Sequence, residues 1–144
     1  MSNEASIKTV ISGSYRKHFS EMLQLKQCLE RESIKVMAPV SEEVTNPGEE
    51  FALLDADPIH DPRSLQDSIF SMIRRSTFLV VANVDGYLGK AALLEIGYAV
   101  AQGIQILTIE DVDDPNISGY TRRLSEVFPR AMSAYGELRL ETLV

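Results

Sequence analysis

Glu95 lies about two turns into a run of small and apolar residues, NVDGYLGKAALLEIGYAVAQG, residues 83–103. Its neighbours one helical turn away include Ala91, Ala92, Tyr98 and Ala99. That depth excludes an N-cap role, and the small neighbours leave space beside the carboxylate. The helix is apolar nearly all round, which predicts burial. A buried carboxylate must be paired or have its pKa raised, and such a group can serve as a nucleophile or as an acid and base. The competing reading is an exposed helix glutamate, the usual fate of that residue.

Two loops carry further candidates. In VDGYLG, residues 84–89, Asp85-Gly86 is a turn pair at the end of an apolar run. Asp85 there either caps the turn or binds sugar hydroxyls or a catalytic partner. Asn83, Gly86 and Gly89 join it as substrate-binding candidates, Gly89 because it permits close backbone approach just before the helix. In SGSYR, residues 12–16, Gly13 lets the backbone approach a ligand. The Ser14 hydroxyl and amide could bind an oxyanion, with the positive end of the next helix aimed at the same place. Tyr15 could cover a base or sugar, and Arg16 adds charge. The pattern lacks GxGxxG and the P-loop lysine, so it is neither a dinucleotide fingerprint nor an NTPase loop. Its alternative is a tight strand-to-helix turn.

These side chains need elements to position them. Strands are predicted at IKTVIS (7–12), SIKVMAPV (33–40), TFLVVANV (77–84) and IQILTIE (104–110). The most apolar, 77–84, belongs at the sheet centre. A helix over 17–31 places Phe19, Met22, Leu23, Leu25 and Leu29 near helical spacing. A second helix starts at Asp61-Pro62, runs to about Arg75 and buries Leu65, Ile69, Phe70 and Ile73. The Glu95 helix ends at Gly103. Residues 118–128 read as a short helix and ELRLETLV, 137–144, as an edge strand. The polar stretch 41–61 is too long for a plain connector. Alternating strands and helices predict an α/β, doubly wound, mostly parallel five-stranded sheet, a three-layer sandwich of flavodoxin or Rossmann type. In such folds the ligand lies outside the carboxyl ends of the strands, where the loops after the first three strands should meet.

The 144 residues predict a single domain, 1–144, able to bury a core without disulfides or a structural metal. A net charge of −7 makes nucleic acid and anionic membranes poor partners. The single cysteine, Cys28, excludes an internal disulfide, fits a reduced cytoplasmic setting and falls at a core position. No histidine pairs with it at metal spacing. No signal pattern opens the chain, and no apolar run nears the roughly 18 residues of a membrane span.

GSYR after the first strand, and NVDGYLGKAALLEIGYAVAQG after the central one, resemble the nucleoside 2-deoxyribosyltransferase-like family. That family includes the 2′-deoxynucleoside 5′-monophosphate N-glycosidases. The resemblance covers about residues 7–110 and is strongest at 78–106. It implies that Glu95 is a nucleophile on the anomeric carbon of deoxyribose. It places Asp85 near an acid that orients the sugar or the glutamate. Ser14 and Tyr15 match the loop that meets sugar, base or 5′-phosphate, and His60, in IHDPRS, matches a pocket histidine. It also implies a nucleoside or nucleotide as small-molecule partner, no metal or organic cofactor, and a homodimer or larger assembly. The apolar LRLETLV and the small-residue face at Ala91, Ala92 and Ala99 are surfaces such an assembly would cover.

The family often carries an acid just before the central strand, where Ser76 and Thr77 stand here. Departure of the base would then need Asp85 or His60, or the activity differs. Two alternatives stand beside the glycosyl enzyme. One is a non-catalytic nucleotide-binding or sensing module on the same fold. The other is a lysine-decarboxylase-like phosphoribohydrolase, against which GYLGKA speaks, since it is not a PGGxGT loop.

Overall fold

In a computed structural model, which describes residues 6–40 and 61–143, the run FLVV has no polar face. All four residues are buried, as a strand covered on both sides requires. This strand, β3 (Phe78–Val81), is the centre of a five-stranded sheet ordered β2-β1-β3-β4-β5. Its companions are β1 (Lys8–Ser12), β2 (Lys35–Ala38), β4 (Gln105–Thr108) and β5 (Thr121–Arg123), and every neighbouring pair is parallel. The chain is thus an α/β doubly wound sandwich, as the alternation of elements predicts.

Period-two alternation sorts the strand residues between two layers. Val10, Leu79, Val81 and Ile106 pack with α2 (Pro62–Arg74) and α3 (Lys90–Ala101). Ile11, Val80 and Leu107 pack with α1 (Tyr15–Glu30) and with the C-terminal helices. Cys28 is buried in this second layer, and burial pushes its thiol up from the ordinary range. The helix starts use the residues expected. Ser14 Oγ accepts from the Lys17 N–H, Asp61 accepts from the Ser64 N–H, and Pro62 takes the first turn of α2. Gly103, past the end of α3, has φ +69°, the left-handed conformation that stops a helix.

The C-terminal third differs from expectation. Residues 118–128 hold β5 and the short α5 (Leu124–Val127), after a single turn α4 (Pro115–Ser118). β5 is short and carries two arginines, a common way to blunt a sheet edge, so no apolar pattern marks it. ELRLETLV is helical, the end of α6 (Pro129–Leu143). Read from Ala131, the positions Ala131, Tyr135 and Leu138 form one stripe against the core, a helical period that the last eight residues conceal. Among the described residues, no helix is long and apolar enough to cross a membrane. Of the polar stretch 41–61, all but Asp61 lies outside the described residues.

Strand order turns back between β1 and β3: the chain adds β2 on one side of β1 and all later strands on the other. At such a switch the loops leaving the two strands diverge and open a crevice at their carboxyl ends. The loops that diverge here are SGSYR and NVDGYLG.

Candidate active site

Glu95 sits on the inward stripe of α3, with Ala92, Ile96 and Ala99. It is buried, at 8% exposure. The cause is this stripe, not burial of the helix all round: Ala91, Leu93, Leu94, Gly97 and Ala101 are exposed. The expectation of an all-buried helix is corrected accordingly. Ala92 and Ala99 likewise serve the chain's own core, so of the small-residue face only Ala91 is open.

Two neutral donors hold the carboxylate. Ser12 Oγ donates to Oε1 at 2.6 Å, and Gln66 Nε2 donates to Oε2 at 2.8 Å. Ser12 shares the strand parity of Val10, which turns its hydroxyl toward the α2 and α3 layer. Gln66 lies in the second turn of α2, next to the buried Leu65. No ion pair to Glu95 occurs among the described residues. Burial therefore pushes its carboxyl above the ordinary range, and the bonds from Ser12 and Gln66 only partly oppose this.

Glu95 opens onto a cavity of about 410 Å³, a size suited to a small organic ligand. The loop after β1 contributes Gly13, Ser14, Tyr15 and Arg16; α2 contributes Leu65, Gln66, Ile69 and Met72; the approach to α3 contributes Tyr87, Gly89 and Lys90. The lining is thus mostly apolar, and Arg16, Lys90 and the first turns of α1 and α3 add positive potential to it. The Tyr87 ring is held from outside the cavity. The Lys17 ammonium lies 4.0 Å from its centroid, and the His18 ring meets it edge-on at 5.8 Å. A Cβ on Gly89 would come within 3.3 Å of that ring, a tight contact that the glycine avoids.

Of the candidates from sequence, Gly13, Ser14, Tyr15, Arg16, Gly89 and Glu95 meet at this cavity. Asn83, Asp85 and Gly86 do not line it. Asp85 is exposed in a 3-10 turn at φ 56°, and its N–H donates to the Glu110 carboxylate at 2.7 Å. The Asn83 side chain bonds the backbone of Ile109 and Glu110, tying the end of β3 to the end of β4. His60 lies outside the described residues. Ser76 and Thr77 precede β3 and so lie at the other end of the sheet. Ser76 Oγ donates to the Met72 carbonyl, and Thr77 Oγ1 accepts from the Lys8 N–H. Lys8 is roughly 13 Å along β1 from Ser12, and neither Ser76 nor Thr77 lines the cavity. Sequence reasoning missed Ser12 and Gln66 as the groups holding Glu95. Strand parity marks Ser12 as an inward polar residue; nothing in the sequence marks Gln66.

Among the described residues, no group of three or more His, Cys, Asp or Glu side chains could hold a metal ion. No family model matches the chain, and no curated protein does. Solved structures similar to it include the CMP N-glycosidase BcmB of Clostridium botulinum, at 13% identity and a TM-score of 0.48, over 70% of this chain and 69% of that one. A conserved protein from Enterococcus faecalis V583 matches at 20% identity and a TM-score of 0.48, over 72% of this chain and 63% of that one. Likenesses this distant assign no activity.

Proposed function

We propose that the chain cleaves or transfers the N-glycosidic bond of a (deoxy)nucleoside or its 5′-monophosphate, with the Glu95 carboxylate as nucleophile. One observation carries the reading: a buried carboxylate, held by two neutral donors and no described cation, faces a cavity the size of a nucleoside. A negative charge kept without neutralisation in a low-dielectric wall stabilises positive charge developing on a sugar ring. As the oxocarbenium-like transition state forms, the carboxylate captures the anomeric carbon as a glycosyl ester, the course retaining glycosidases follow. Water or a second base then takes the sugar. The apolar wall of Leu65, Ile69 and Met72 suits a base, and the cationic rim of Arg16 and Lys90 suits a phosphate.

A second reading, a nucleotide-binding module without turnover, has its own support. Glu95 is the sole carboxylate among the described residues lining the cavity. Retaining glycosidases place a second carboxyl about 5–5.5 Å from the nucleophile to protonate the leaving group. In the glycosyl reading that proton comes from solvent or from a cavity group such as Tyr87 or Lys90.

Release of free base from deoxynucleosides and their 5′-monophosphates, with and without an acceptor base, separates the two. Wild type is expected to cleave at least one member of the panel. Glu95→Gln, which keeps the volume and loses the charge, is expected to bind within about tenfold of wild type and to lose turnover by orders of magnitude. Equal cleavage by Glu95→Gln removes the nucleophile assignment. No cleavage by wild type across the panel makes the binding module the better reading.

A further inference from the structure

The two donors to Glu95 stand on different sides of it. Ser12, buried at 2% exposure, does not line the cavity, and its hydroxyl reaches Oε1 from the sheet. Gln66 does line the cavity, and its amide reaches Oε2 from α2. Oε1 therefore points toward the sheet, and Oε2 is the oxygen held at the cavity wall. Among the described residues, the Gln66 side chain has no other hydrogen-bond partner.

We infer that Oε2 is the attacking oxygen and that Gln66 is a positioning residue with two successive tasks: it holds Oε2 in the free protein and, once the ester has formed, turns its freed amide to the incoming acceptor. The inference rests on the glycosyl reading above. In the first step the Oε2–C1′ bond forms as the C1′–N bond breaks. The electron pair of that bond leaves on the base, which takes one proton from solvent or from a cavity group that solvent then reprotonates. Oε1 is then the ester carbonyl oxygen, still a good acceptor, so the Ser12 bond persists. Oε2 is the ester's bridging oxygen, a poor acceptor, so the Gln66 N–H is released beside the reacting carbon. In the second step the oxygen of water, or a nitrogen of a second base, bonds to C1′ as the C1′–Oε2 bond breaks. That electron pair returns to the Glu95 carboxylate, the acceptor's proton passes to solvent, and Gln66 takes Oε2 again. The Ser12 bond is the same in both states, whereas the Gln66 bond changes between them.

That asymmetry is testable with Gln66→Met, which keeps the length and removes the donor, and with Ser12→Ala as its control. Gln66→Met is expected to lower kcat by about tenfold or more, the worth of a hydrogen bond to a charged group. It should lower kcat/KM by less, because the second step suffers most. The glycosyl ester should accumulate in the intact mass spectrum of Gln66→Met during turnover, and not in that of Ser12→Ala. The acid limb of its kcat/KM profile should move to higher pH, since the ionised form has lost a donor. Among the described residues, the charged and titratable groups that share the cavity with Glu95 are Arg16 and Tyr15 of α1, Tyr87 of the turn after β3 and Lys90 of α3, and none of them is altered. A carboxyl-carbon NMR titration of Glu95 reads the same movement without turnover. An active wild type whose Gln66→Met variant shows neither accumulated ester nor a moved titration overturns the inference, as does equal accumulation in Ser12→Ala. A wild type that cleaves nothing, with the titration of Gln66→Met still moved, overturns the glycosyl reading and the second task while leaving the first task standing. No cleavage and no movement overturns both.

Discussion

Ionised Glu95 destabilises the fold that holds it. Its folded-state carboxyl titrates above the ordinary range because burial disfavours the charge. As pH rises, the unfolded chain gives up this proton first, so the group's contribution to stability is full below the ordinary carboxylate range. It is lost as pH climbs through the raised folded value, and flat above it. Glu95→Gln cannot lose a proton. Its stability relative to wild type is expected to be higher at pH 7 than at pH 4. Urea denaturation of both proteins at the two pH values measures this. A difference that does not change with pH would mean that the carboxylate is not buried in solution. A site that works by keeping a charge in poor solvent is stabilised by removing that charge.

At the scale of elements, α3 presents one face to the core and another to solvent, and its glycines respond to this. A Cβ added at Gly97 meets nothing within 4 Å, and the residue is exposed and helical. Gly97→Ala is expected to stabilise the chain by about 0.5–1 kcal/mol, the helix propensity difference. A Cβ at Gly103 also meets nothing within 4 Å, but there φ is +69°. Gly103→Ala is expected to cost about 1 kcal/mol, from backbone strain alone. One substitution six positions apart in a single segment thus changes sign with backbone conformation. Midpoints of urea unfolding at constant m value check both. Neither residue lines the cavity, so ligand affinity should stay unchanged.

At the scale of the whole molecule, we propose that copies of the chain associate as a homodimer or larger assembly. Leu93 and Leu94 on the outer face of α3, and Leu140 and Leu143 on α6, are exposed apolar side chains. The α3 group adjoins Ala91, which lines the cavity, so a partner seated there would border the cavity mouth. Static light scattering at micromolar concentration is expected to give at least twice the chain mass, and Leu94→Glu to reduce it. A monomer mass for wild type under those conditions contradicts the proposal.

The sheet, its parallel strands and the meeting of SGSYR with the Glu95 helix were legible in the sequence. Apolar runs of strand length alternating with helical stripes admit few packings, and crossover connections force the strands parallel. Asp61, Pro62 and Gly103 marked their helix ends because caps act locally. The C-terminal elements were not legible: β5 is charged, and the apolar period of α6 begins before the stretch that resembled a strand. Within the site, sequence named the acid but not what holds it. Ser12 is 83 positions from Glu95 and Gln66 is 29, and only the packing of α2 and α3 on one face of the sheet joins them. The same packing left Asp85 facing solvent and tied Asn83 to β4, two residues whose chemistry suited a cleft. A side chain's chemistry is local and can be read in order along the chain. Which of its lone pairs is bonded, and which stays open to a ligand, depends on segments far apart in sequence and is decided only when they pack.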